Sequence, residues 1–141
     1  MIIKQLSVFV ENKRGRLAEI TRILGDNSID IRALSIADTK DFGILRIIVN
    51  DPDKAETILK EKGFTVALTK VICIGIKDKP GGLANAMGVL QSKEISVEYM
   101  YAFVSRCEDD AYVILRVEDN QKAIDILSEN GFKIMSHNDI F

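Results

Sequence analysis

A chain of 141 residues is long enough for one ordinary domain or two very small ones. Its 47% hydrophobic and 28% charged residues describe a soluble globular protein, and 19 Lys and Arg against 21 Asp and Glu give no basic excess for a nucleic-acid partner. No run nears the roughly 18 apolar residues of a membrane span, the start Met1-Ile2-Ile3-Lys4-Gln5 lacks the regions of a signal peptide, and Cys73 and Cys107 form no CxxC pair, so the expected setting is cytoplasmic.

Leu6, Val8 and Val10 alternate with Ser7, Phe9 and Glu11, which predicts a strand with one buried face. The corner Asn12-Lys13-Arg14-Gly15-Arg16-Leu17 follows. Leu17, Ile20 and Leu24 then recur at helical spacing, and the helix fades at Gly25-Asp26-Asn27. Ile29 to Ala37 and Phe42 to Val49 read as a hairpin turning at Asp38-Thr39-Lys40-Asp41. Asp51-Pro52 places an acid at the N-cap and Pro at the first helical position; Gly63 ends that helix, and Phe64 to Leu68 is a short strand. The order is β-α-β-β-α-β.

The same order then restarts. Gly15 and Gly81, Leu17 and Leu83, Leu24 and Leu90 are each 66 positions apart, and Leu6, Val8 and Val10 fall on Ile72, Ile74 and Ile76. After the hairpin the matching Leu-Arg pairs, Leu45-Arg46 and Leu115-Arg116, imply an offset of 70; at the second helix Asp51 and Asp119 imply 68. Such matching is the mark of an internal duplication. The fold class is therefore α+β, with tandem ferredoxin-like units at residues 1–69 and 70–141, each an antiparallel four-stranded sheet with helices on one face. Only Thr69 and Lys70 separate the halves. Joining their sheets edge to edge into eight strands would cover vulnerable edges.

In the second copy the corner reads Asp78-Lys79-Pro80-Gly81-Gly82-Leu83. A strand ending in a glycine turn that opens a helix leaves backbone N–H groups outward with the helix dipole behind them, a seat for a carboxylate. No Ser/His/Asp set is evident, His137, the sole histidine, falls in the C-terminal strand or tail, and Glu108-Asp109-Asp110 beside Cys107 reads as a solvated turn. No catalytic residue, metal or cofactor is expected.

A β-α-β-β-α-β unit carrying [Asn/Asp]-x-Pro-Gly-x-Leu at its first strand–helix corner resembles the ACT domain. The second copy matches at Asp78, Pro80, Gly81 and Leu83; the first keeps Asn12, Gly15 and Leu17 but has Arg14 in place of Pro. The resemblance covers the whole chain and implies no attached catalytic domain. It also implies a free amino acid bound where two such units meet, between the corner of one and the second strand of another. Carried over, the site comprises Asn12, Lys13, Arg14, Gly15, Arg16, Leu17 and Ser35, with Asp78, Lys79, Pro80, Gly81, Gly82, Leu83, Tyr99 and Tyr101. Ser35 stands among small residues and Tyr99 and Tyr101 among aromatic ones, so the two sites need not be equal; which strand face meets the ligand is open at this level.

The function so implied is a non-catalytic regulatory protein that signals amino-acid status to a partner or oligomer. The alternative is a ligand-independent regulatory subunit of an amino-acid-biosynthesis enzyme. A homodimer through the open sheet face or strand edges is expected, with Arg46, Arg116 and Phe9 on that open face.

Overall fold

The computed structural model describes residues 1–38, 41–104 and 109–141. They form two compact units, Lys4–Thr69 and a second made of Met1–Ile3 with Lys70–Phe141. Cys107 and Glu108 lie outside the described residues.

In the first unit, β1 (Ile3–Glu11) leads to α1 (Arg16–Asp26), the hairpin β2 (Ile31–Asp38) and β3 (Phe42–Val49), then α2 (Pro52–Glu61) and the start of β4 (Val66–Lys77). β1 lies between β3 and β4, with β2 outermost. The antiparallel register sets Leu6 opposite Ile47 and Val8 opposite Leu45. Because side chains alternate between faces, this one register puts the whole apolar set on the same side. There they bury against Ile20 and Leu24 of α1 and Ala55 and Leu59 of α2. Each such Leu or Ile contributes on the order of 1.5–3 kcal/mol as an upper bound. The predicted cap is present: the Asp51 carboxylate accepts from Lys54 N–H at 3.1 Å, with Pro52 at the first helical position.

The second unit repeats the plan with the rest of β4, α3 (Gly82–Ser92), β5 (Val97–Val104), β6 (Asp110–Val117), α4 (Asn120–Glu129) and β7 (Lys133–Met135). Its strand order, β5-β6-β4-β7, mirrors that of the first. Ile72, Ile74, Val113 and Leu115 bury against Leu90 of α3 and Ala123 and Leu127 of α4.

Three expectations need correction. The eight edge-joined strands are seven among the described residues. Thr69 and Lys70 do not break the chain; β4 runs through them as one twelve-residue strand, since neither residue supplies a turn. Second, Arg46 and Arg116 are not equivalent. Leu6 faces Ile47 where its counterpart Ile72 faces Leu115, so the offset in the third strand is already 68. A slip of two residues preserves strand alternation, which is how the Leu-Arg match misled. Arg46 corresponds to Ile114, and Ile48 to Arg116. Third, His137 is in neither a strand nor a tail but opens a short helix, α5 (His137–Ile140). Ser136 and Asp139 close a reciprocal capping box there, and Ile140 is buried.

Both units carry a non-glycine residue in the left-handed region just after the first helix, Ser28 at φ 59° and Glu94 at φ 57°. An L side chain there costs about 1–2 kcal/mol, part of which a glycine returns as backbone entropy. Glu94→Gly and Ser28→Gly should therefore each stabilise the protein by roughly 0.5–1 kcal/mol. Urea unfolding midpoints at unchanged slope measure the gain; a loss in both variants would contradict this account of the backbone.

Candidate functional site at the strand–helix corners

At the first corner, Asn12 N–H donates to Asp41 O at 3.1 Å, Lys13 N–H to Glu11 O at 2.7 Å, and Arg16 N–H to Lys13 O at 3.3 Å. At the second, Asp78 N–H donates to Asp109 O at 2.9 Å, Lys79 N–H to Lys77 O at 2.9 Å, and Gly82 N–H to Lys79 O at 3.0 Å. Gly15 and Gly81 both sit at φ 87° as the N-caps of α1 and α3. One turn is thus built twice. The left-handed conformation explains the glycine, and a glycine cap has no side-chain oxygen to offer the helix start. Among the described residues, no acceptor takes the N–H groups of Leu17 and Ala18, or of Leu83 and Ala84. These donors stand open at the helix start, where the helix dipole favours negative charge.

A cavity of about 210 Å³ opens at the first corner, lined by Val10, Glu11, Asn12, Lys13, Arg16, Leu17, Ile36, Asp38 and Gly43. Of the residues carried over by resemblance, Asn12, Lys13, Arg16 and Leu17 line it; Arg14 and Gly15 form the turn beside it. Ser35 lies on the other face of β2. It pairs with Arg46, whereas Ile36 pairs with Leu45, whose side chain belongs to the helix-side core. Tyr99 and Tyr101 pair with Arg116 and Ile114, again on the face turned from the helices, while Met100 lies opposite Leu115. The face of the second strand that meets the corner is therefore the one bearing Ile36 and Asp38. Sequence alternation separates the two faces but does not say which one the corner joins. Leu17, which spacing puts with the buried stripe, is 42% exposed and forms part of the cavity rim.

The corner is strongly charged. The Glu11 carboxylate meets Lys13 Nζ at 2.8 Å and Arg16 Nη2 at 3.8 Å, and Arg16 Nη1 also meets Glu19 at 3.0 Å. The hydrogen bond from Lys13, then the charges of Lys13 and Arg16, hold the Glu11 carboxyl below the ordinary carboxylate range. A cavity with two cations, two carboxylates, an amide and apolar walls is complementary to a small zwitterion.

The second corner differs in one respect. A Cβ on Gly82 would collide with the Lys77 carbonyl oxygen, while Arg16 occupies the corresponding place in the first unit. The start of α3 therefore presses closer to its strand. Lys77 there pairs with Asp110 at 3.1 Å, and Leu83 packs on the core as a partly buried residue.

Elsewhere, His137 stacks on Phe141 with ring centroids 4.8 Å apart. Among the described residues no group of three or more His, Cys, Asp or Glu could hold a metal ion. Cys73 is buried, and burial, with a smaller contribution from the Asp139 charge, pushes its thiol up to about 12.

The family model for the ACT domain pair matches residues 1–141. The crystal structure of protein BT0572 from Bacteroides thetaiotaomicron is similar at 42% identity, covering 99% of this chain and 96% of that one, with a TM-score of 0.93. The ligand-free regulatory subunit of aspartate kinase from Thermus thermophilus is similar at a TM-score of 0.66 and 14% identity, covering 91% and 92%. The regulatory subunit of aspartate kinase from Thermus flavus gives 0.60 and 16%, covering 92% and 94%. At these identities the two Thermus proteins share the fold alone. A comparison with curated proteins returns no match.

Gly82→Ala should destabilise the fold by about 1–3 kcal/mol because the clash is with backbone, whereas Arg16→Ala should change stability by less than about 1 kcal/mol; urea unfolding compares them. In a Cys107→Ser background, Cys73 should react with a thiol reagent only through unfolding. Its raised folded-state value favours the protonated native state, so its contribution to stability is complete below the unfolded thiol's value and is lost as pH rises from about 9 toward about 12. Fast modification of Cys73 at pH 8 would refute its burial.

Proposed function

The chain belongs to the family of ACT domain pairs, and from that premise we propose that it is a non-catalytic regulatory protein that binds a free amino acid at a strand–helix corner and passes the signal to an oligomer or partner. The observation that carries the reading is the first-corner cavity. Its open helix-start N–H groups and the Lys13 and Arg16 cations suit an α-carboxylate. Asp38 and the Asn12 side-chain oxygen suit an ammonium group, and Val10, Leu17 and Ile36 suit an aliphatic side chain. A ligand of about ten heavy atoms in so open a site binds at micromolar to millimolar strength, the range of a metabolite sensor.

Regulation follows from differential binding. A second unit, supplied by a homodimer, would close over the ligand, and the ligand would favour that arrangement by no more than its preference between the two states. The exposed Leu34 and Ile36 on the edge strand β2 support an edge contact. The second corner, with Asp78, Lys79, Pro80, Gly81, Gly82 and Leu83, repeats the turn and is proposed as a second, tighter seat with its own selectivity. Ser35, Tyr99 and Tyr101 belong to the proposal only through the open sheet face.

Thermal unfolding against the twenty amino acids tests this. One or a few should raise the melting temperature by mass action, and Asp38→Asn should remove the response at the first corner. Arg16→Ala should weaken it about tenfold, as loss of one charge-assisted bond does. No response to any member at millimolar concentration, with a biosynthetic enzyme co-purifying, would instead favour the ligand-independent subunit.

A further inference from the structure

We infer that the first unit holds a second ligand site, a phenylalanine-lined box for a small aromatic carboxylate, which adjoins the corner cavity across a wall of Val10, Glu11 and Arg16. Three of the chain's six phenylalanines line one cavity of about 320 Å³: Phe9 from β1, Phe42 from β3 and Phe64 from the turn after α2. The Phe9 and Phe42 rings stand 5.8 Å apart at 41°, and both residues remain over two-fifths exposed. Water-facing rings held in this way offer a flat ligand an apolar seat that already exists before binding.

The rim sets the sign of the ligand. Glu11, Arg16 and Lys62 line it. The Glu11 carboxylate is neutralised by Lys13 at 2.8 Å, and Arg16 shares its charge between Glu11 and Glu19. Among the described residues Lys62 has no carboxylate partner, so the box carries an uncompensated cation beside its rings. That combination rejects a quaternary ammonium, which an aromatic cage alone would take, and accepts a ring with a carboxylate attached.

The duplicated position supplies an internal control. A cavity of about 280 Å³ lies at the same place in the second unit, but Gly75 stands for Phe9 and Asp110 for Phe42, leaving Phe132 as the single ring. Its Lys77 is paired with Asp110. The box is therefore a property of one unit, and binding should be one per chain. It extends the regulatory reading without resting on it, since it uses neither Asp38 nor the helix-start donors.

The test is titration of the whole chain with 3-phenylpropanoate, followed by calorimetry and ligand-observed NMR. Saturable binding of one equivalent is expected, weakened about tenfold by Lys62→Gln and at least as much by Phe42→Ala, with Lys133→Gln as a neutral change at the second unit. Phe42 is half-exposed, so the variant should keep its fold, which circular dichroism checks. Equal or tighter binding of phenyltrimethylammonium would overturn the assignment, as would binding insensitive to both variants or none at all. A change of oligomeric mass in Phe42→Ala with no binding in the parent would likewise overturn it, making the face an interface between copies.

Discussion

In the unit Lys4–Thr69 two short helices bury one face of the sheet against a single apolar cluster. The corner cavity follows from how far that helix cover extends. Two helices of eleven and ten residues cover β1 and β3, where Leu45 and Ile47 are nearly inaccessible, but do not reach across β2. Leu34 and Ile36, on the same face one strand further out, stay 56% and 46% exposed. The corner cavity forms in that uncovered margin. The helix start provides donors and charge on one side, and the unroofed edge strand provides apolar surface on the other.

Duplication kept what the burial requires and released the rest. The left-handed glycine, the three backbone bonds of the turn, the acidic N-cap of the second helix and the left-handed residue after the first recur at matching places. They are the points where the backbone must change direction while keeping its polar groups paired. Side chains around these points diverged. Where the first unit has Arg16 the second has Gly82, with the helix closed on its strand, and where the first has Phe9 and Phe42 the second has Gly75 and Asp110. The scaffold is repeated while the cavities on it are dissimilar.

Much of this was legible in the residues. The order of elements, both corners, the Asp51 cap and the inward set of each strand follow from alternation, helical spacing and the punctuation of Gly, Pro and Asp. What was not legible traces to period two. Strand alternation is unchanged by a shift of two, so matching Leu45-Arg46 to Leu115-Arg116 satisfied every local rule while misplacing the third strand. Only the pairing of Ile47 with Leu6 and of Leu115 with Ile72 breaks the tie. The face of β2 that joins the corner is similarly a three-dimensional fact, since Ser35 and Ile36 are equally plausible until one is seen opposite Arg46 and the other opposite Leu45. The start of α5 has its own signal in the residues: Ser136 with Asp139 three residues on is a capping box that accepts Asp in place of Glu.

The two corners also invert each other's electrostatics, and this bears on what each can hold. Glu11 ends β1 and is bound by Lys13 and Arg16 from its own turn. At the equivalent position β4 ends in Lys77, bound not from the turn but by Asp110 across the ladder. In the first corner the turn's cations are partly occupied by a neighbouring carboxylate, so under the proposed function an incoming carboxylate would compete with Glu11 and would gain affinity only if its ammonium met Asp38. The proposed ligand there is accordingly a zwitterion rather than a simple anion. In the second, Lys79 and the helix-start N–H groups face no such competitor among the described residues, while Gly82 draws the helix close and narrows the seat. A simple carboxylate meets less opposition there than at the first corner. The same turn, built twice, thus carries opposite charge at the strand end, Glu11 in one unit and Lys77 in the other.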